Sequence, residues 1–101
     1  MAKYDVYRLA ALDGLVVDVQ ADLLEPLNTR VVVPLLALEA APKPAKRLNP
    51  IFEIQGIRYV MVTQFVSAVQ LRDLGRPVAN LDAQSAEITT ALDMLFQGFG
   101  R

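Results

Sequence analysis

Only one long stretch of this chain has the period of an α-helix, and it lies at the C-terminal end. In Ala83 to Arg101, AQSAEITTALDMLFQGFGR, the residues Ile88, Ala91, Leu92, Leu95 and Phe99 fall at i, i+3, i+4, i+7 and i+11. That spacing places them on one stripe of a helix. Elsewhere Gly, Pro, Asp and Asn cut the apolar runs into pieces that suit short strands. A single helix must therefore cover a sheet of short, tightly connected strands, which implies a mainly β fold with one C-terminal α-helix. Asp82 is the expected N-cap and Gly98 the residue that ends the helix, giving a length of about fifteen residues. Met94 and Phe96 lie off the stripe, and apolar residues outside a buried face suggest a partner.

The strands can be read in order. Tyr4 to Leu9 and Leu15 to Gln20 flank Asp13-Gly14, the strongest hairpin signal in the chain. In the second of these runs Leu15, Val17 and Val19 alternate with Asp18 and Gln20, which predicts one buried face. Ala21 to Asn28 is broken by Pro26 and reads as a loop tucked onto the core, with one of Leu23 and Leu24 exposed. Thr29 to Leu36 is rich in β-branched residues and suits a strand buried on both faces; Pro34 should sit at a bulge, a bend or the strand's edge side, and in small β-barrels such a strand bends to serve two sheets. Ala40 to Pro50 carries Lys43, Lys46 and Arg47 among three prolines and reads as a solvated loop. Ile51–Gln55 and Ile57–Thr63 form a second hairpin, turned at Gln55-Gly56, and Ala68 to Arg72 is a further strand. The whole of 1–101 reads as a single domain, a small antiparallel barrel-like sheet with the helix laid across it.

Composition narrows the chemistry. The chain has no Cys and no His, which removes disulfides, thiol nucleophiles, imidazole bases and ordinary zinc sites. Ten basic and eleven acidic residues give a net charge of −1, so there is no positive field for nucleic acid. The N-terminal MAKYDVYRLA lacks the apolar core of a signal peptide, and no run approaches the ~18 apolar residues of a membrane span. A cytoplasmic protein is expected, with no cofactor. At 53% hydrophobic, the chain has more apolar material than so small an interior takes in, which predicts a homodimer.

Candidate catalytic groups are sparse. Ser67 and Ser85 have no base to activate them. Asp18 and Asp22, four apart on an extended chain, lie ~13 Å from one another, too far to share a proton or metal. Thr29-Arg30 at a strand start is the one pair suited to phosphoryl chemistry, with Arg30 stabilising charge on a scissile phosphate. A chain with no visible catalytic group and surplus apolar edges acts more readily by binding.

Two stretches are more specific. Val17-Asp18-Val19-Gln20-Ala21-Asp22-Leu23-Leu24, followed by Asn28-Thr29-Arg30-Val31-Val32-Val33-Pro34-Leu35, resembles the CcdB family of toxins. The tyrosine-bearing first strand, Pro50-Ile51, Met61 to Thr63, Leu74-Gly75, Val78 to Leu81 and Leu92 to Phe99 follow the same pattern. The resemblance runs essentially end to end. It implies an SH3-like small antiparallel barrel of the CcdB/MazF type with a small accessory sheet and a C-terminal helix, assembled as a homodimer. It also implies a non-enzymatic mechanism: the family binds the A subunit of DNA gyrase and traps the enzyme with its DNA cleaved. A CcdA-type antitoxin neutralises the toxin and joins it in repressing their operon, so operator DNA is met only through that complex.

Carried over position by position, the gyrase-binding residues are Leu23, Leu24, Asp93, Phe96, Gln97, Gly98 and Phe99. Three departures fall among them. Asp93 stands where the best-known member has Asn, Gln97 stands where it has Trp, and Phe99 is followed by Gly100-Arg101. An interface Trp is worth on the order of 2 kcal/mol or more. These departures leave open a degenerate homologue that binds antitoxin without poisoning gyrase. The shared fold leaves open a MazF/Kid-like endoribonuclease centred on Arg30.

Overall fold

The computed structural model describes residues 2–9, 12 and 14–98. Seven strands and one helix follow in order: β1 (Asp5–Arg8), β2 (Leu15–Asp18), β3 (Thr29–Ala37), β4 (Ile51–Ile54), β5 (Ile57–Met61), β6 (Ser67–Gln70), β7 (Ala79–Asn80) and α1 (Ser85–Gln97). The sheet order is β4-β5-β3-β2-β1-β7, with β6 also paired to β3. Every pairing is antiparallel. The result is a small, nearly closed, SH3-like barrel carrying one C-terminal helix.

The first hairpin forms as the sequence predicts, with Val6 opposite Val17 and Tyr7 opposite Val16. Its strands are shorter than Tyr4–Leu9 and Leu15–Gln20, and Asp13 of the turn signal lies outside the described residues. Gly14 is required by proximity, because a Cβ there would meet the Leu35 carbonyl oxygen at 2.7 Å. The second hairpin turns at Gln55 (φ 53°) and Gly56 (φ 81°) and pairs Ile54 with Ile57. Consecutive positive φ values of this kind match the right-handed twist of the flanking strands.

β3 organises the barrel. It pairs with β2 over Val32–Leu35, with β6 over Thr29–Val32, and with β5 over Leu35–Ala37. Pro34 falls where β6 ends and β5 begins, and its carbonyl accepts the Val62 N–H at 2.9 Å. A strand residue's N–H and C=O point to the same edge, so the donor Pro34 lacks falls in the gap between two partners.

Two apolar clusters occupy opposite faces of β1–β3. Val6, Leu15, Val17, Val33 and Leu35 face Phe52, Ile54, Met61 and the helix residues Ile88 and Ala91. Tyr7, Val16 and Val32 face Leu74. β2 is consequently buried along its whole length, Asp18 included. This corrects the one-face reading of β2: Leu74, which bridges to Leu9, packs with Tyr7, Val16 and Val32 on the face that Asp18 shares with Val16.

Three further readings are corrected. α1 has thirteen residues and follows a 3-10 turn, Asp82–Gln84. Asp82 does not cap it through its side chain; its own N–H instead donates to Asn80 Oδ1 at 2.8 Å, a local turn that launches the helix. β6 covers Ser67–Gln70 rather than Ala68 to Arg72, because the chain closes into a 3-10 turn at Leu71–Asp73. β7 is too short to read from sequence and exists because Val6 and Asp5 offer it an edge.

Candidate partner-binding site

After β2 the chain leaves the sheet and closes into a 3-10 turn, Asp22–Leu24. Leu24 N–H donates to Ala21 C=O at 2.9 Å, Glu25 N–H to Asp22 C=O at 3.0 Å, and Leu27 N–H to Leu24 C=O at 3.0 Å. No residue from 21 to 29 is buried. The segment is therefore not tucked onto the core, which corrects the loop reading. Leu23 is 88% exposed and Leu24 45%, so both leucines project, not one. A 3-10 turn places consecutive side chains on neighbouring rather than opposite faces, which is how both escape burial.

The helix supplies the second group. Ile88 and Ala91 are fully buried, Leu92 packs against the same core, and Leu95 is half-buried. Phe96, one position off the stripe, is 70% exposed. Gly98 adopts φ 79° and donates its N–H to Met94 C=O at 3.0 Å, ending the helix in the left-handed conformation that glycine tolerates. Asp93 is half-buried, and Gln97 and Gly98 are exposed. Phe99 lies outside the described residues.

The structure thus gathers Leu23 with Leu24 on one turn, and Asp93, Phe96, Gln97 and Gly98 on the last turn of α1. It keeps the two groups on separate elements. Besides the sheet core that Ile88 and Ala91 face, α1 packs against the 3-10 turns Thr63–Phe65 and Asp82–Gln84. Phe65, in the first of those turns, is 51% exposed. Sequence reasoning passes over it, since one Phe among Thr63, Gln64, Val66 and Ser67 has neither strand nor helix period.

A buried polar group lies beneath the leucine turn. Arg30 and Asp18 are both fully buried, with Arg30 Nε donating to Asp18 Oδ2 at 2.8 Å and Nη2 2.6 Å from the same oxygen. The Nη2 contact is one of charge rather than a directed bond, and neither Nη1 nor Nη2 has a hydrogen-bond acceptor among the described residues. Burial pushes the Asp18 carboxyl up from its ordinary value, against the Gln20 N–H and Arg30, which pull it down. Burial likewise raises the Tyr7 hydroxyl to about 12, assisted by the charges of Asp5 and Asp18. Its oxygen lies 3.3 Å from Asp5 Oδ2. Arg30 therefore has no path to a phosphate outside the barrel. The spacing argument for Asp18 and Asp22 is also revised: Asp22 sits in the turn, where its Oδ1 accepts the Lys3 N–H at 2.7 Å.

Lys43, Lys46 and Arg47 are exposed on the proline loop, as the sequence suggests. The loop is pinned by Asn49, whose Oδ1 accepts the Ala45 N–H at 3.0 Å and whose Nδ2 donates to Met61 C=O at 3.1 Å. Among the described residues no group of three or more acidic, His or Cys side chains is placed to hold a metal ion. Nor is any helix long and apolar enough to cross a membrane.

These features define a class, the small SH3-like barrels with a C-terminal helix and apolar side chains displayed at a turn and a helix end. A solved structure of an endoribonuclease in complex with its cognate antitoxin, from a mycobacterial species, has the same fold. It superposes with a TM-score of 0.76 over 93% of this chain and 92% of that one, at 16% sequence identity. The chain itself belongs to the CcdB family: the family model, described as CcdB protein, matches residues 3–98. It is a toxin of the toxin–antitoxin type.

Proposed function

We propose that this toxin acts by binding the A subunit of DNA gyrase and trapping the enzyme on cleaved DNA, without catalysing a reaction itself. The contact residues are Leu23, Leu24, Asp93, Phe96, Gln97, Gly98 and Phe99. One observation carries the reading: Leu23 and Phe96, at matching family positions, are 88% and 70% exposed. Large apolar side chains held that far out contribute nothing to their own core and gain by being covered. The active form is a homodimer, neutralised by a CcdA-type antitoxin, and the pair together contacts operator DNA. With a net charge of −1, the toxin alone has little affinity for nucleic acid. Its target places its action in the cytoplasm.

The test is gyrase-dependent DNA cleavage with purified protein. Wild type is expected to accumulate cleaved DNA, and Phe96→Ala with Phe99→Ala to abolish this while the protein stays folded. Continued trapping by that double variant removes the site assignment. Wild type that is inert towards gyrase but binds antitoxin establishes the degenerate homologue instead. The ribonuclease reading draws support from the fold shared with an endoribonuclease. Against it stands the complete burial of Arg30 on Asp18. RNA cleavage lost in Arg30→Ala, with the fold intact, would restore it.

A further inference from the structure

The turn that displays Leu23 and Leu24 has no apolar anchor of its own, since residues 21 to 29 are all exposed. It is held by hydrogen bonds instead: Lys3 N–H donates to Asp22 Oδ1 at 2.7 Å, Leu71 N–H donates to Asn28 C=O at 2.9 Å, and between these one buried side chain reaches Leu24. Gln20 is 6% exposed and uses both ends of its carboxamide. Oε1 accepts the Val31 N–H at 3.0 Å, and Nε2 donates to the Leu24 carbonyl at 3.2 Å. The Gln20 backbone N–H donates to Asp18 Oδ1 at 2.9 Å, and Asp18 is fixed by Arg30. The β2–β3 ladder ends here: Val19 N–H still donates to Val31 C=O at 3.0 Å, but Val31 N–H has the Gln20 side chain where a backbone carbonyl would otherwise stand. Gln20 thus continues the sheet by a side chain and ties its last rung to the carbonyl of a proposed contact residue.

We infer that Gln20 is a positioning residue, which sets the direction in which Leu23 and Leu24 are presented to the partner. This rests on the reading that those leucines are contact residues. Exposed leucines on an untethered segment must be ordered when a partner binds, and that ordering weakens association without changing the bound complex. The clamp orders them beforehand. Neither carboxamide atom touches the partner in this scheme, so the effect of Gln20 is on affinity and not on the state that is trapped.

The experiment compares full-length wild type, Gln20→Met and Leu23→Asp in gyrase-dependent DNA cleavage, with hydrogen exchange measured on the free proteins. Gln20→Met keeps the volume and removes both carboxamide bonds. It is expected to raise the half-saturating concentration about tenfold with the maximal cleavage unchanged. The amides of Leu24 and Leu27 are expected to exchange at least about tenfold faster, while those of Val17 and Val33 keep their protection. Gln20→Glu retains an acceptor for Val31 N–H and loses only the donor to Leu24, so a smaller shift is expected from it, and it serves if the Met variant fails to fold. Unchanged exchange at Leu24 and Leu27 overturns the clamp whatever gyrase does. A half-saturating concentration within twofold of wild type, with Leu23→Asp inactive, overturns the positioning role alone. Equal loss of protection at Val17 and Val33 makes Gln20 a general stability residue and also overturns it. If Leu23→Asp traps gyrase as well as wild type, the contact reading itself fails and the inference falls with it.

Discussion

At the scale of residues, the Asp18–Arg30 pair shows a balance between two large opposing terms. Both side chains are fully buried, and two guanidinium nitrogens have no acceptor among the described residues. The upward shift of the Asp18 carboxyl says that burial outweighs the attraction its partners supply. Two expectations follow, both read by urea unfolding. Asp18→Ala leaves the Arg30 cation unpaired in the interior and destabilises by about 3–5 kcal/mol. Asp18→Leu combined with Arg30→Met leaves stability unchanged or raises it.

Tyr7 supplies a pH dependence. Its folded-state hydroxyl titrates at about 12, against 10.0 for the free group. The folded protein holds this proton where the unfolded chain releases it. The associated stability is complete below pH 10, and it is lost as pH rises through the folded value. A shift of two units corresponds to about 3 kcal/mol. Phenolate absorbance is expected to show one late tyrosine titrating near 12, missing from Tyr7→Phe. Gln97 is the remaining residue of interest. It is exposed on the last turn of α1, at one of the departures noted with the resemblance. Under the proposed function, Gln97→Trp supplies an aromatic anchor and lowers the half-saturating concentration for gyrase trapping by about tenfold or more.

At the scale of elements, two glycines illustrate different demands on the backbone. Gly98 ends α1 at φ 79° with open space around its missing Cβ. Gly98→Ala therefore meets only backbone strain, and thermal unfolding is expected to show a loss of about 1 kcal/mol. Gly14 has the opposite problem, a Cβ 2.7 Å from the Leu35 carbonyl oxygen on β3. Gly14→Ala must push β2 from β3 or distort the turn. Its expected cost is about 1–3 kcal/mol, larger than that at Gly98. If Gly98→Ala proves the more damaging, strain at the helix end exceeds the backbone clash.

At the scale of the whole molecule, the barrel leaves its large apolar side chains in distinct places. Leu23, Leu24 and Leu27 are exposed around the turn after β2, Phe96 on the last turn of α1, and Phe65 on a 3-10 turn that packs against α1. A dimer and a partner together account for more covered surface than either alone, and the homodimer proposed above is expected in sedimentation at micromolar concentration. A poison that acts by binding is stoichiometric. Trapped DNA should rise with added protein and saturate near equivalence with gyrase, whereas a catalyst would keep accumulating product at substoichiometric amounts.

The chain alone determined the local elements that have strong periodicity or turn chemistry. The Ile88–Ala91–Leu92 stripe specified the helix and its buried face. Gly98 specified the helix end, Gln55-Gly56 the second hairpin, and Pro34 the point where β3 changes partners. The VDVQ and RVVVPL stretches pointed to the family, whose model matches residues 3–98. Tertiary structure alone decided the rest, because burial is a property of what packs from elsewhere in the chain. Asp18 alternates with apolar neighbours and so reads as solvent-facing. It is fully buried, on the face where Leu74 packs with Val16, and Arg30 arrives from the next strand to meet its charge. Arg30 for the same reason reads as a free cation and is sealed. Gln20 is an ordinary polar residue in sequence. Only the fold brings Val31 N–H to one side of its carboxamide and the Leu24 carbonyl to the other, and so fixes the turn that carries Leu23.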